Sequence, residues 1–78
     1  MKVEIITPDA NIFAGEATAL QVPGTDGLLG ILNGHAPLVS TLAKGKVKVT
    51  AENGEDKFFD INGGVVEVLN NKVMILAE

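Results

Sequence analysis

The sequence predicts an all-β protein, and three observations carry the prediction. Short apolar runs alternate with Gly, Pro and Asn turn signals at brief intervals along the chain. No stretch sustains apolar positions at the three- and four-residue spacing of an amphipathic helix. Lys46-Val47-Lys48-Val49-Thr50-Ala51 alternates strictly, so that Val47, Val49 and Ala51 face a core while Lys46, Lys48 and Thr50 face water.

Taken along the chain, Glu16 to Val22 is the first clear strand, with Thr18, Leu20 and Val22 on one face and Ala17, Ala19 and Gln21 on the other. Pro23-Gly24 ends it. After Lys46–Ala51, Asn53-Gly54 supplies two residues that tolerate positive φ, as a type I′ turn requires, and Lys57-Phe58-Phe59-Asp60-Ile61 returns as the partner strand. Gly63-Gly64 punctuates the step to a second hairpin. There Val65-Val66-Glu67-Val68-Leu69 meets Lys72-Val73-Met74-Ile75-Leu76 across Asn70-Asn71, because Asn enters the left-handed region more readily than most residues. Several short strands separated by turns in one small chain make a sandwich or a partly closed barrel.

Size and composition narrow the function. At 78 residues one domain is the ceiling, since a chain this small buries only about 60% of the surface it exposes when unfolded. With 46% hydrophobic and 21% charged residues it is globular rather than disordered. A net charge of -4, with 6 Lys and no Arg, argues against binding nucleic acid, where phosphates demand a basic surface. There is no Cys, so packing alone must hold the core. Glu4 and Pro8 interrupt the N-terminal run before a signal-peptide hydrophobic region forms. No apolar run approaches the roughly 20 residues that span a bilayer. The expectation is a soluble chain, brought to a membrane surface only through a partner.

Residues that could carry chemistry are few. His35 is the single histidine, and without a Cys or a second His it cannot anchor an ordinary transition-metal site. A general acid or base would also need a positioned partner and a substrate pocket. Gly34-His35-Ala36-Pro37 is therefore an ordered loop whose imidazole bonds locally or reaches a partner. The carboxylates are scattered, with none paired in an apolar setting. Gly24, Gly27 and Gly30 lack the Lys-Ser/Thr and the helix of a phosphate-binding loop, and serve turn geometry. Lys44, Lys46 and Lys48 solvate a strand and guard an edge rather than bind an anion. Phe58 and Phe59 point to opposite faces, one into the core and one outside, where it is either incidental or part of a contact patch.

The run Val22-Pro23-Gly24-Thr25-Asp26-Gly27-Leu28-Leu29-Gly30-Ile31-Leu32-Asn33-Gly34-His35-Ala36-Pro37-Leu38 resembles the signature of the epsilon subunit of F-type ATP synthases, the delta subunit in mitochondria. Supporting matches are Ile6-Thr7-Pro8, Phe13-x-Gly15-Glu16, Gly63-Gly64-Val65-Val66-Glu67-Val68 and Asn71-Lys72-Val73-Met74-Ile75-Leu76-Ala77, so the likeness covers residues 1–78 as one domain. The resemblance implies a two-layer antiparallel β-sandwich of about ten short strands. It implies a non-catalytic subunit of the central stalk, or rotor, of a proton-translocating ATP synthase, docked on the gamma subunit and the membrane c-ring. It nominates Thr7, His35, Ala36, Pro37 and Ser40 for gamma, and Asp26, Gly27, Leu28 and Leu29 for the c-ring. It implies no cofactor and no metal, and a peripheral place on the cytoplasmic face of a bacterial inner membrane.

Two departures qualify the likeness. Relatives commonly carry an acidic residue where this chain has Leu28, so no charged contact is carried over there. Many relatives continue into a C-terminal helical hairpin that can inhibit ATP hydrolysis; residues 1–78 hold no such element, and whether this is a short form or a domain cut from a longer chain, that inhibition is not carried over. The rival reading is a stand-alone β-sandwich that holds a small ligand between its sheets. A small hydrolase using His35 and a nearby carboxylate has only composition in its favour.

Overall fold

The computed structural model describes residues 1–78 as nine strands: β1 (Lys2–Ile6), β2 (Asn11–Glu16), β3 (Ala19–Gly24), β4 (Gly27–Leu32), β5 (Leu38–Leu42), β6 (Gly45–Thr50), β7 (Asp56–Ile61), β8 (Gly64–Leu69) and β9 (Lys72–Ala77). They join in the order β2-β1-β9-β8-β5-β3-β6-β7, with β4 on the other flank of β3. The path curls into two layers, β2-β1-β9-β8-β5 and β4-β3-β6-β7. They are stitched by one register pair, Gly24 with Leu42. The all-β, two-layer architecture is the one expected; nine strands carry it, and one ladder, β1 with β9, is parallel while the others are antiparallel.

Period-two alternation places the core. Val3 and Ile5 of β1, Val66 and Val68 of β8, and Val73 and Ile75 of β9 point inward from the first layer. Leu20 and Val22 of β3, Ile31 of β4, Val47 and Val49 of β6 and Ile61 of β7 meet them from the second. Most are β-branched, which suits a pleated, half-buried surface. No polar or charged residue is buried.

Turn chemistry explains the boundaries. Asn70 and Asn71 both sit in the left-handed region, at φ 52° and 59°, and close β8 onto β9 as a two-residue hairpin loop with Leu69 opposite Lys72. The β6–β7 connection differs from the expected type I′ turn. Asn53 is not among the positive-φ residues; only Gly54, at 87°, is. The Gly54 N–H donates to the Ala51 carbonyl at 2.9 Å, and the Ala51 N–H to that of Glu55 at 2.8 Å. The loop is thus the three-residue form, in which a glycine supplies the single left-handed position.

Two further expectations fail at the corners of the sheet. β3 runs through Pro23-Gly24 instead of ending before it. β6 has left that flank after Gln21 pairs with Lys48, so the missing Pro23 N–H breaks no ladder. Ala17 is buried and Thr18 exposed, the reverse of the parity read from Glu16–Val22. The chain crosses between layers here, the Ala17 N–H bonding the Met1 carbonyl at 2.9 Å, so alternation restarts at Ala19.

Candidate functional site

Nothing in the interior is built for chemistry. No group of three or more His, Asp or Glu side chains converges as a metal site would require. His35 is half-buried, and its Nδ1 lies 2.7 Å from the Ala36 carbonyl oxygen, a local bond with no carboxylate behind it. The surface grooves lie along β5, β8 and β9 and at the β1–β9 end, not between the layers. A ligand pocket between the sheets would also want convergent polar groups, and the core has none.

The feature that stands out is the outer face of the five-stranded layer. Along β8, residues 65, 67 and 69 point away from the core, and the matching outward positions are Val39 and Thr41 on β5, Met74 and Leu76 on β9, and Glu4 and Ile6 on β1. Register aligns them in rows. Thr41, Val65, Leu76 and Ile6 form one row, and Val39, Glu67, Met74 and Glu4 the next. Val39, Leu76, Leu69 and Val65 are exposed by 68%, 55%, 51% and 36%. Val65 and Leu76 stand directly opposite each other, and Val39 and Leu69 share a groove with Pro37, while Glu67 and Thr41 lie between the two pairs. Apolar residues grouped on one face make it a candidate interaction surface, which singly scattered ones do not.

The sequence-nominated residues frame this face unequally. β1, β9 and β5 run in the same direction, since β1 is parallel to β9 and both β9 and β5 are antiparallel to β8. Thr7 therefore lies past the end of β1 and Pro37 ahead of the start of β5, at diagonal corners roughly 20 Å apart by strand rise and spacing. Thr7 is fixed by a turn in which its N–H donates to the Ala10 carbonyl at 2.8 Å and its hydroxyl donates to the same oxygen at 3.2 Å. Pro37 borders a groove with Val39, Glu67 and Leu69. His35 and Ala36 lie in the same β4–β5 connection. Ser40 shares the inward parity of Leu38 and Leu42, is half-buried, and donates its hydroxyl to the Thr41 carbonyl at 3.2 Å.

The second nominated group sits at the tip of the β3–β4 hairpin. Gly24 pairs with Gly27 across Thr25-Asp26, and Gly27 has φ 131°. Asp26, Gly27 and Leu28 are exposed there, Leu28 by 68%, whereas Leu29 turns inward against the core. The Thr25 and Thr41 hydroxyls hydrogen-bond at 2.9 Å and fasten this tip to β5.

Sequence reasoning missed Val39, Val65, Leu69 and Leu76. A signal was present: Val65-Val66-Glu67-Val68-Leu69 and Val73-Met74-Ile75-Leu76-Ala77 are apolar at both parities. In a two-layer protein such strands must turn one apolar face outward.

The model of the family described as ATP synthase, Delta/Epsilon chain, beta-sandwich domain matches residues 1–78. The chain belongs to that family. The ATP synthase epsilon chain of Chlorobium limicola is 43% identical over 77 residues, covering 99% of this chain and 88% of its own. That of Alkalilimnicola ehrlichii is 42% identical over 78 residues, covering 100% of this chain and 56% of its own. Among solved structures, a chain of the Euglena gracilis mitochondrial ATP synthase (OSCP, F1 and c-ring) superposes with a TM-score of 0.90 at 28% identity over 96% of this chain. A chain of the Tetrahymena thermophila mitochondrial ATP synthase central stalk and c-ring gives 0.80 at 22% identity over 97%, a likeness of fold. This delta/epsilon-type chain thus spans about half to three-fifths of three of these relatives, 56%, 48% and 61%, and most of the fourth.

Proposed function

We propose that this domain is the β-sandwich of an ATP synthase epsilon chain, a non-catalytic subunit that works as part of the rotating central stalk. In this reading the outer face of the β2-β1-β9-β8-β5 layer docks on the gamma subunit, from the Thr7 corner to the His35-Ala36-Pro37 corner. The Asp26-Gly27-Leu28 tip meets the loops of the c-ring. The complex holds the chain at the cytoplasmic face of a bacterial inner membrane, with no insertion of its own.

The observation that carries the docking surface is the exposure of Val39, Val65, Leu69 and Leu76 on one face of one layer. Covering side chains that are already about half buried recovers roughly 1 kcal/mol apiece. Stiffness is the mechanical contribution. Nine fully buried Ile and Val side chains fill the space between the layers, and an interior packed without voids transmits strain instead of absorbing it.

The experiment is a pull-down of the tagged chain from native membranes, with the retained chains identified by mass spectrometry. Gamma and c-ring subunits should be retained together. A chain that elutes alone from membranes holding intact ATP synthase would remove the proposal.

A further inference from the structure

We propose that Asn71 is a positioning residue, whose side-chain oxygen clasps the Gly34–Pro37 loop in the conformation that docks on the gamma subunit. The inference rests on the docking reading above and adds to it a residue assigned to act through the loop it holds.

The loop between β4 and β5 carries His35, Ala36 and Pro37 and has few bonds of its own. His35 N–H donates to the Leu32 carbonyl at 3.1 Å, and the imidazole Nδ1 lies 2.7 Å from the Ala36 oxygen. Neither ties the loop to the layer it borders. That tie comes from Asn71, 37 residues further along, whose Oδ1 accepts the Gly34 N–H at 2.8 Å. The Asn71 backbone carbonyl meanwhile accepts the Lys2 N–H at 3.1 Å. One residue of the β8–β9 turn therefore fixes both the start of β1 and the His35 loop. The loop's other anchor is Asn33, whose Oδ1 accepts from the Met1 ammonium. Gly34 itself sits at φ 78°, with open space where a Cβ would stand, so backbone crowding does not hold it in place.

Turn chemistry gives a clean test. Asn71 has φ 59° in a two-residue hairpin loop. Asn71→Gly creates Asn-Gly, the pair that such a turn favours most, so the hairpin is kept while the acceptor is lost. Asn71→Asp keeps both an acceptor and tolerance of the left-handed region. The readouts are the affinity of the full chain for the gamma subunit of its own ATP synthase, by calorimetry, and the hydrogen-exchange rate of the Gly34 amide.

The inference expects N71G to speed Gly34 exchange and to weaken gamma binding about fivefold, the worth of one lost hydrogen bond. N71D should restore both, and thermal unfolding of N71G should be no earlier than that of the unmodified chain. Unchanged gamma affinity in N71G would overturn the inference, whatever happens to Gly34 exchange. If the unmodified chain itself fails to bind gamma, the docking reading falls, and Gly34 exchange then reports whether the clasp exists without it.

Discussion

The rings of Phe13 and Phe59 lie 5.3 Å apart between centroids, tilted by 54°. Phe13 is on β2 and Phe59 on β7, the two strands at opposite ends of the sheet order. The aromatic pair thus closes the edge of the sandwich that no hydrogen-bonded ladder closes, while the Gly24–Leu42 pair joins the layers within the path. The Lys57 ammonium sits over the face of the Phe13 ring, 5.8 Å from its centroid.

A double-mutant cycle on this pair is the first prediction. Tilted aromatic pairs contribute about 0.5–1.5 kcal/mol beyond the area they bury. Phe13→Leu and Phe59→Leu, measured singly and together by urea unfolding, should show a coupling of about that size. A coupling of zero would mean that the two layers are held together elsewhere.

Gly64 and Gly30 should differ sharply in their response to alanine. At Gly64, φ is 144° and a Cβ would collide with the Leu76 carbonyl oxygen across the β8–β9 ladder. At Gly30 nothing lies within 4 Å and φ is not positive. Gly64→Ala should lower the Tm by more than about 10 °C, since each 1 kcal/mol moves a domain of this size by about 4–8 °C. Gly30→Ala should leave it within about 4 °C, the shift of roughly 0.5 kcal/mol at an unobstructed position.

A third prediction concerns Gly24, where a Cβ would stand 2.7 Å from the Gly27 carbonyl oxygen and 3.1 Å from the Leu29 side chain. Gly24→Val should cost about 1–3 kcal/mol by forcing that crowding. Because Gly24 is the stitch between layers, loss of protection at the Leu42 and Ala43 amides should accompany it in hydrogen exchange. The Ala43 N–H donates to the Pro23 carbonyl at 2.7 Å beside that stitch. A stable variant with both amides still protected would contradict this account of the join.

Charge placed on the two layers should separate docking from folding. Val39→Lys and Leu76→Lys, both on the outer face of the five-stranded layer, should weaken gamma binding by at least about tenfold, as for a truncated central interface residue. Phe58→Lys, on the other layer and 58% exposed, should leave it unchanged. All three should unfold within about 0.5 kcal/mol of the parent, since none of these side chains is buried.

How much of this was legible in the sequence depends on range. Local chemistry was: Asn70-Asn71 adopts the left-handed pair that its composition demands, and Val47 and Val49 face inward as their alternation requires. Asn53-Gly54 misled because an Asn-Gly pair also fits a three-residue loop, in which glycine alone takes positive φ. The pairing of β1 with β9 joins the two ends of the chain, and no local pattern encodes a contact of that separation.

Of the proposed docking face, the sequence named the corners and left the centre unnamed. Thr7 and Pro37 stood inside recognisable strings, but only register shows that they bracket one face. Ser40 and Leu29 were nominated by position in those strings, and strand parity turns both side chains inward. Phe58 and Phe59 split as adjacent strand residues must, Phe59 toward the core and Phe58 outward, on the layer away from the proposed gamma face.

Methyl NMR of the isotope-labelled chain titrated with its gamma subunit decides where the domain docks. The Val39, Val65, Leu69 and Leu76 methyls should shift or broaden together, while those of Leu32 on the opposite layer stay where they are. Perturbation confined to Leu28 and Leu32, with the Val39 and Leu76 methyls unmoved at saturation, would place the docking surface elsewhere and end the proposal.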